Sequence, residues 1–264
     1  MGLPLPPDRM PVMRRGRMLK RWRYVGVYGP ELMLCIGLAR IGPTLQSWWA
    51  VWDREANKLR EKTRHGKGGV RFARGRADVD DGKVQIALAF HEDPGIEVVT
   101  PDGAGYAWTR KQAGIRVRGH AYVAGAHKRV DALGMVDDSA GYHARETAWR
   151  WSTGVGTADD GRTVAWNVVT GIHDDPAASE RTVWIDGDAR HVGPVEFADD
   201  LSAVEFSEGE ALRFKAEATR ERHENLGLFR SDYVQPFGTF RGSVPGIEHL
   251  REGYGVMERH AVKW

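Results

Sequence analysis

Val84-Gln85-Ile86-Ala87-Leu88-Ala89-Phe90-His91 sets Val84, Ile86, Leu88 and Phe90 against Gln85, Ala87, Ala89 and His91. A period of two is that of a half-buried strand, and it outweighs helical periodicity along the chain. Leu212, Phe214, Ala216 and Ala218 likewise oppose Arg213, Lys215, Glu217 and Thr219. Ile115 and Val117 oppose Arg116 and Arg118, and Val164, Trp166 and Val168 form a further stripe. Strands with one dry and one wet face belong to antiparallel sheets. Asp81-Gly82, Asp102-Gly103, Asp160-Gly161 and Asp186-Gly187 supply the positive φ that tight hairpins need. Only short helices are expected, and Arg54 to Lys62 reads equally as a helix or a charged edge strand.

At 264 residues the chain lies between one large β domain and two small ones. A soft division near residue 112 gives an N-terminal β half, 1–112, and a C-terminal β half, 113–264, with one continuous domain left open. Each half has a tryptophan strand followed by a polar one. Trp48-Trp49-Ala50-Val51-Trp52 precedes Lys58 to Thr63, and Trp149 to Trp151 leads on to Trp166, a pattern that suggests duplication.

Lysine and arginine number 38 against 36 acidic residues, so a net charge of +2 gives no whole-protein field for nucleic acid or anionic membrane. Arg14, Arg15, Arg17, Lys20, Arg21 and Arg23 form a local basic run, read as a solvated lead-in in preference to a contact site. Cys35, the single cysteine, sits among aliphatic residues, which excludes an internal disulfide and fits a reducing cytoplasm. No secretory signal or membrane-length apolar run is present. The histidines lack metal-binding spacing, and Gly154-Val155-Gly156 lacks the helix of a dinucleotide loop, so no metal and no cofactor is expected.

Chemistry-bearing side chains are densest from Val136 to Thr147. There Asp137 and Asp138 offer carboxyls, Tyr142 a phenol, His143 an imidazole and Arg145 a cation. Immediately after, Trp149 and Trp151 flank Arg150, so a strand sends both indoles to one face. Asp137, Asp138, Tyr142 and His143 are the candidate catalytic groups. Arg145, Trp149, Trp151, Trp166 and Asn167 are the candidate ligand-binding ones.

Three blocks carry a family resemblance. They are Lys20-Arg21-Trp22-Arg23-Tyr24 through Trp52-Asp53; Asp137-x-x-x-Gly141 with Trp149-x-Trp151, Gly161 to Asn167 and Trp184-Ile185-Asp186-Gly187; and Arg230-Ser231-Asp232 through Ala261-Val262-Lys263-Trp264. In these the chain resembles the bacterial family known as domain of unknown function 2804. Through Gly141-Tyr142-His143 before a tryptophan strand, it is distantly similar to lipocalin-like two-domain proteins such as the carotenoid 1,2-hydratases. It departs from them at Ala144, where the hydratases carry an acidic residue.

The resemblance and the strand pattern together imply an all-β fold of two packed antiparallel halves, lipocalin-like (calycin-type) barrels or strongly curved sheets around an apolar cavity. The expected partner is a small apolar or amphipathic ligand of isoprenoid or lipid-like type, and neither nucleic acid nor an integral membrane. Acid–base chemistry of the hydration or isomerisation type is the first expectation. A non-catalytic carrier or sensor, or a cavity-free structural module, are the alternatives.

Overall fold

The computed structural model describes residues 2–227 and 229–264. Among the described residues no helix forms, so the expected short helices are absent. Residues 54–57 make a turn, and the charged residues that follow form an edge strand.

A small ribbon, β1 (Met13–Arg14) and β2 (Arg17–Met18), precedes the first sheet. That sheet contains β3 (Lys20–Tyr28), β4 (Leu32–Ile41), β5 (Thr44–Asp53), β6 (Lys58–His65), β7 (Val70–Ala73), β8 (Arg76–Asp80), β9 (Val84–Phe90), β10 (Ile96–Asp102), β11 (Gly105–Val123) and β12 (Ala126–Gly141). The chain then enters β13 (Glu146–Ala158) and β14 (Thr163–Thr170), makes a second ribbon, β15 (Asp174–Asp175) and β16 (Ala178–Ser179), and returns through β17 (Thr182–Ile185) and β18 (Asp188–His191). β19 (Val195–Phe197), β20 (Ala203–Phe206), β21 (Ala211–Leu226), β22 (Phe229–Val244) and β23 (Ile247–Lys263) complete the second sheet.

Both sheets follow one plan. The first runs β6-β5-β4-β3-β12-β11-β9-β8-β7, with β10 also on β11, and the second runs β18-β17-β14-β13-β23-β22-β21-β20-β19. In each, the last strand of the half pairs back onto its first, which is the order a duplication would leave. The matching strands are not those the tryptophan pattern suggested: β13 corresponds to β3, which carries Trp22, and not to β5. The soft division near residue 112 falls within β11, and the passage between sheets lies at 142–145.

Strand alternation builds the three largest cores. Val25, Ile36, Val51, Ile86, Leu88 and Val117 fill the inside of the first curled sheet. Val164, Trp166, Val183, Leu212 and Phe240 fill the second. A third cluster joins them, with Tyr28, Met33 and Met135 from one half against Trp151, Phe237 and Val256 from the other. Full burial of each such side chain stabilises by roughly 1.5–3 kcal/mol. Gly154 is a packing device within β13, because a Cβ there would meet Trp166 Cζ2 at 2.3 Å. The four Asp-Gly glycines all have positive φ.

Two bulges alter the faces that alternation assigns. Pairing of β11 with β12 shifts between Ala113 and Ile115, at Gly114. Ile115 and Val117 therefore turn into the first core while Ala113 and Lys111 turn toward the second half. β21 does the same between Ala216 and Ala218. Leu212 and Phe214 enter the second core, but Ala218 and Arg220 face the first half. An extra residue inverts every side chain beyond it, which ends the simple stripe expected over Leu212 to Ala218.

Candidate functional site

Between the two sheets lies a cavity of about 350 Å³, within the size range of small-molecule sites. Its aromatic walls are Trp22, Trp48 and Tyr24 from the first half and Trp149, Trp151, Tyr233 and Trp264 from the second. Glu61, Lys111, Asp137, Glu180, Arg220 and Glu258 bring charge to it.

Alternation along β23 puts Val256, Glu258, His260 and Val262 on one face, so a carboxyl interrupts an apolar stripe. Glu258 is 8% exposed and lies opposite Trp151 of β13. Trp149 Nε1 donates to its Oε1 at 2.8 Å and Gln235 Nε2 to its Oε2 at 2.8 Å. Burial pushes its carboxyl up to about 7, against the pull of Trp149, Tyr233 and Arg220. Such a group is both acid and base near neutrality. Burial lowers the neighbouring His260 to about 4, and that ring lies 4.4 Å from Trp149, with Nε2 2.9 Å from Ser231 Oγ.

Asp137 holds the matching place in the first half, on its last strand opposite Tyr24 of its first. Its surroundings differ. Lys111 Nζ lies 2.5 Å from Asp137 Oδ1 and 3.1 Å from Glu180 Oε1, and all three side chains are buried. Burial raises the Asp137 pKa in spite of Lys111. For Glu180, burial is outweighed by Lys111 and His173, and its carboxyl sits well below the usual range. The chain continues from Glu180 Oε2 to His173 Nδ1 at 3.1 Å, then from His173 Nε2 to His143 Nε2 at 2.9 Å.

On the far side, buried Arg220 spans the halves, donating to Glu61 at 2.7 Å and to Gln235 Oε1 at 3.0 Å. Gln235 thus links Arg220 to Glu258. Cys35 lies 3.5 Å from Arg220 Nη1, and burial raises its thiol, so it stays protonated packing. Among the described residues no group of three histidine, cysteine or carboxylate side chains is arranged to hold a metal ion.

The residues singled out from sequence divide sharply. Asp137, Trp149 and Trp151 line the cavity. Asp138, one residue on, points the other way, where Arg110 at 2.7 Å and Arg23 at 3.1 Å pair with it and with Glu92. Tyr142 is buried among Met10, Leu19, Tyr106 and Trp108, and its hydroxyl donates to the Pro11 carbonyl at 2.6 Å. His143 stacks on Trp22 with ring centroids 5.2 Å apart, behind His173, with its low pKa caused by burial and by His173. Arg145 is exposed. Trp166 belongs to the second core and donates to Ser152 Oγ. Asn167 stands behind the wall, accepting from Trp151 Nε1 at 2.8 Å and donating to the Glu180 carbonyl at 3.1 Å.

The basic run does not read as a solvated lead-in. Arg17 bonds Asp102 and the Tyr142 carbonyl, Lys20 bonds the His143 carbonyl, and Arg14 lies over Tyr106. Glu258, Arg220, Tyr233, Glu180 and Lys111 were not singled out. The available signal was a charged residue inside an apolar stripe, as at Glu258.

A family model described as a domain of unknown function (DUF2804) matches residues 61–264. That match leaves out the Lys20 to Asp53 block. No curated protein matches significantly by sequence. Among solved structures, a candidate AttH from Nitrosomonas europaea is 13% identical over 98% of both chains, with a TM-score of 0.58. Kievitone hydratase from Nectria haematococca is 12% identical over 91% of this chain and 88% of that one, with a TM-score of 0.58. CghA is 10% identical over 93% and 88%, with a TM-score of 0.51. These likenesses establish the two-sheet, lipocalin-like fold.

Proposed function

The chain belongs to the DUF2804 family, and from that premise we propose that it binds an apolar or amphipathic small molecule of isoprenoid or lipid-like type between its two sheets and transforms it by proton transfer. The reaction class is hydration or isomerisation of a carbon–carbon double bond. The observation that carries this reading is the Glu258 carboxyl, buried against Trp149 in an aromatic cavity and protonated up to about 7. One of the structurally similar proteins is a hydratase.

In this reading Glu258 is the general acid. Its O–H bond breaks as a C–H bond forms on one alkene carbon, and positive charge develops on the other. The indole faces of Trp149 and Trp151 lie where that charge is favoured by their π quadrupoles. Attack by water, with its surplus proton passing to Asp137, gives hydration. Loss of a neighbouring C–H proton back to Glu258 gives isomerisation. Asp138 and Tyr142 drop out of the catalytic set because neither reaches the cavity, and His143 acts only through His173. The cavity counts against a fully packed structural module. A single buried thiol fits a reducing compartment, and a cytoplasmic location belongs to this reading.

The test is incubation in D2O with geraniol, farnesol and aryl alkenes, read by NMR. The expected result is deuterium on a formerly vinylic carbon, lost in Glu258→Gln while quenching of tryptophan fluorescence by the same alkene persists. Quenching without deuterium across the set would leave a carrier or sensor and remove the enzyme.

A further inference from the structure

The charges lining the cavity do not balance. Lys62 pairs with Asp81 at 2.9 Å, Lys111 with Glu180 at 3.1 Å, Arg220 with Glu61 at 2.7 Å and Arg222 with Glu224 at 2.6 Å. Among the described residues every lysine and arginine lining the cavity thus has a carboxylate of its own. Two buried carboxyls remain. Asp137 only shares Lys111, and its Oδ1 accepts no hydrogen bond of good geometry. Among the described residues Glu258 forms no salt bridge, and the groups that donate to it, Trp149, Gln235 and Tyr233, are neutral.

A cavity with no spare cation offers no counter-charge to a carboxylate, sulfate or phosphate head group. Arg145, the cation among the candidate ligand-binding residues, lies on the exposed surface. The surplus is of the opposite sign and is set among five indoles. Trp149 has its edge tied to Glu258, so a positive group against that carboxyl also meets an indole.

We propose that the cavity also takes a molecule with an ammonium group on its apolar body, held between the Glu258 carboxylate and the tryptophan walls. The inference rests on the cavity being the ligand site. It goes beyond the reading above: a bound ammonium takes the place of the positive charge that proton transfer would create, with Glu258 ionised, so such a molecule occupies the site without being protonated there.

Binding of such a cation is linked to protonation of Glu258. The charged and titratable groups facing it are Arg220 from β21, Tyr233 from β22, Asp137 from β12, Tyr28 from β3 and Cys35 from β4. Arg220 stays cationic, while Tyr233, Tyr28 and Cys35 stay neutral because burial raises all three. A proton on Glu258 competes with the ligand, so affinity for a permanent cation rises with pH through about 7.

The experiment titrates the protein with phenyltrimethylammonium, its neutral isostere tert-butylbenzene, and benzenesulfonate, by calorimetry at about pH 6 and about pH 8. At the higher pH the ammonium binds about tenfold more tightly than the hydrocarbon and the sulfonate does not bind. Its affinity falls at the lower pH, and hydrocarbon affinity is unchanged. Glu258→Gln brings ammonium and hydrocarbon within about twofold of each other. The pH series on the unaltered protein gives the answer even if that variant fails to fold. Equal binding of ammonium and hydrocarbon, or tighter binding of the sulfonate, overturns the inference and leaves the proton-transfer reading standing. Binding of none of the three overturns both.

Discussion

Replacing Glu258 by glutamine removes a buried carboxyl whose pKa burial pushes from the ordinary 4.5 to about 7. A group that holds its proton more tightly folded than unfolded favours the folded state at low pH. That contribution is fully present below about 4.5, is lost as pH rises, and is gone above about 7. At about 1.4 kcal/mol per pH unit, the difference between 4.5 and about 7 corresponds to about 3 kcal/mol, most of it between about pH 5 and about pH 8. Glutamine does not titrate, so the stability of wild type minus that of the variant should fall by about 2–3 kcal/mol across this range. A constant offset is expected as well. The new amide nitrogen must face the donor of either Trp149 or Gln235, which costs about 1–3 kcal/mol at every pH. The slope is therefore the readout. Urea unfolding at four pH values, extrapolated linearly, measures it. A difference flat to within about 0.5 kcal/mol would refute the placement of a titrating carboxyl in this cavity.

Two further outcomes follow from the same geometry. Lys111→Met strips the cation from Asp137 and Glu180 together and should cost about 3–5 kcal/mol at neutral pH, less in acid where the carboxyls protonate. Chemical denaturation of the variant at two pH values checks this, and a loss below about 1 kcal/mol would contradict the pairing. Trp149→Phe keeps an aromatic wall but deletes the 2.8 Å donor to Glu258, so the carboxyl should titrate about one unit higher. Its midpoint can be followed by NMR of selectively labelled glutamate, and an unchanged midpoint argues against the bond.

Much of the sheet structure was readable because alternation is a local property. Val84 to Phe90 forms β9 with the expected faces, and Trp149 and Trp151 do share one face. Asp137 and Asp138 show where that reading stops. Adjacent on one strand, they must point to opposite sides, but nothing local tells which side is the cavity and which is the Arg23, Arg110 and Glu92 network. Lys111 and Arg220 lay further out of reach, since a single extra residue at Gly114 and near Glu217 reverses the faces that neighbouring alternation assigns.

What the sequence determined by itself was the strand period, the turns and the all-β class, because each depends on residues a few positions apart. The tertiary structure decided the site. Glu258 lies 109 positions from the Trp149 that donates to it, and Arg220 lies 159 positions from Glu61. Contacts at that separation arise only when the two curled sheets pack. Burial, which raises the Glu258 and Asp137 carboxyls, exists only once that packing has removed water.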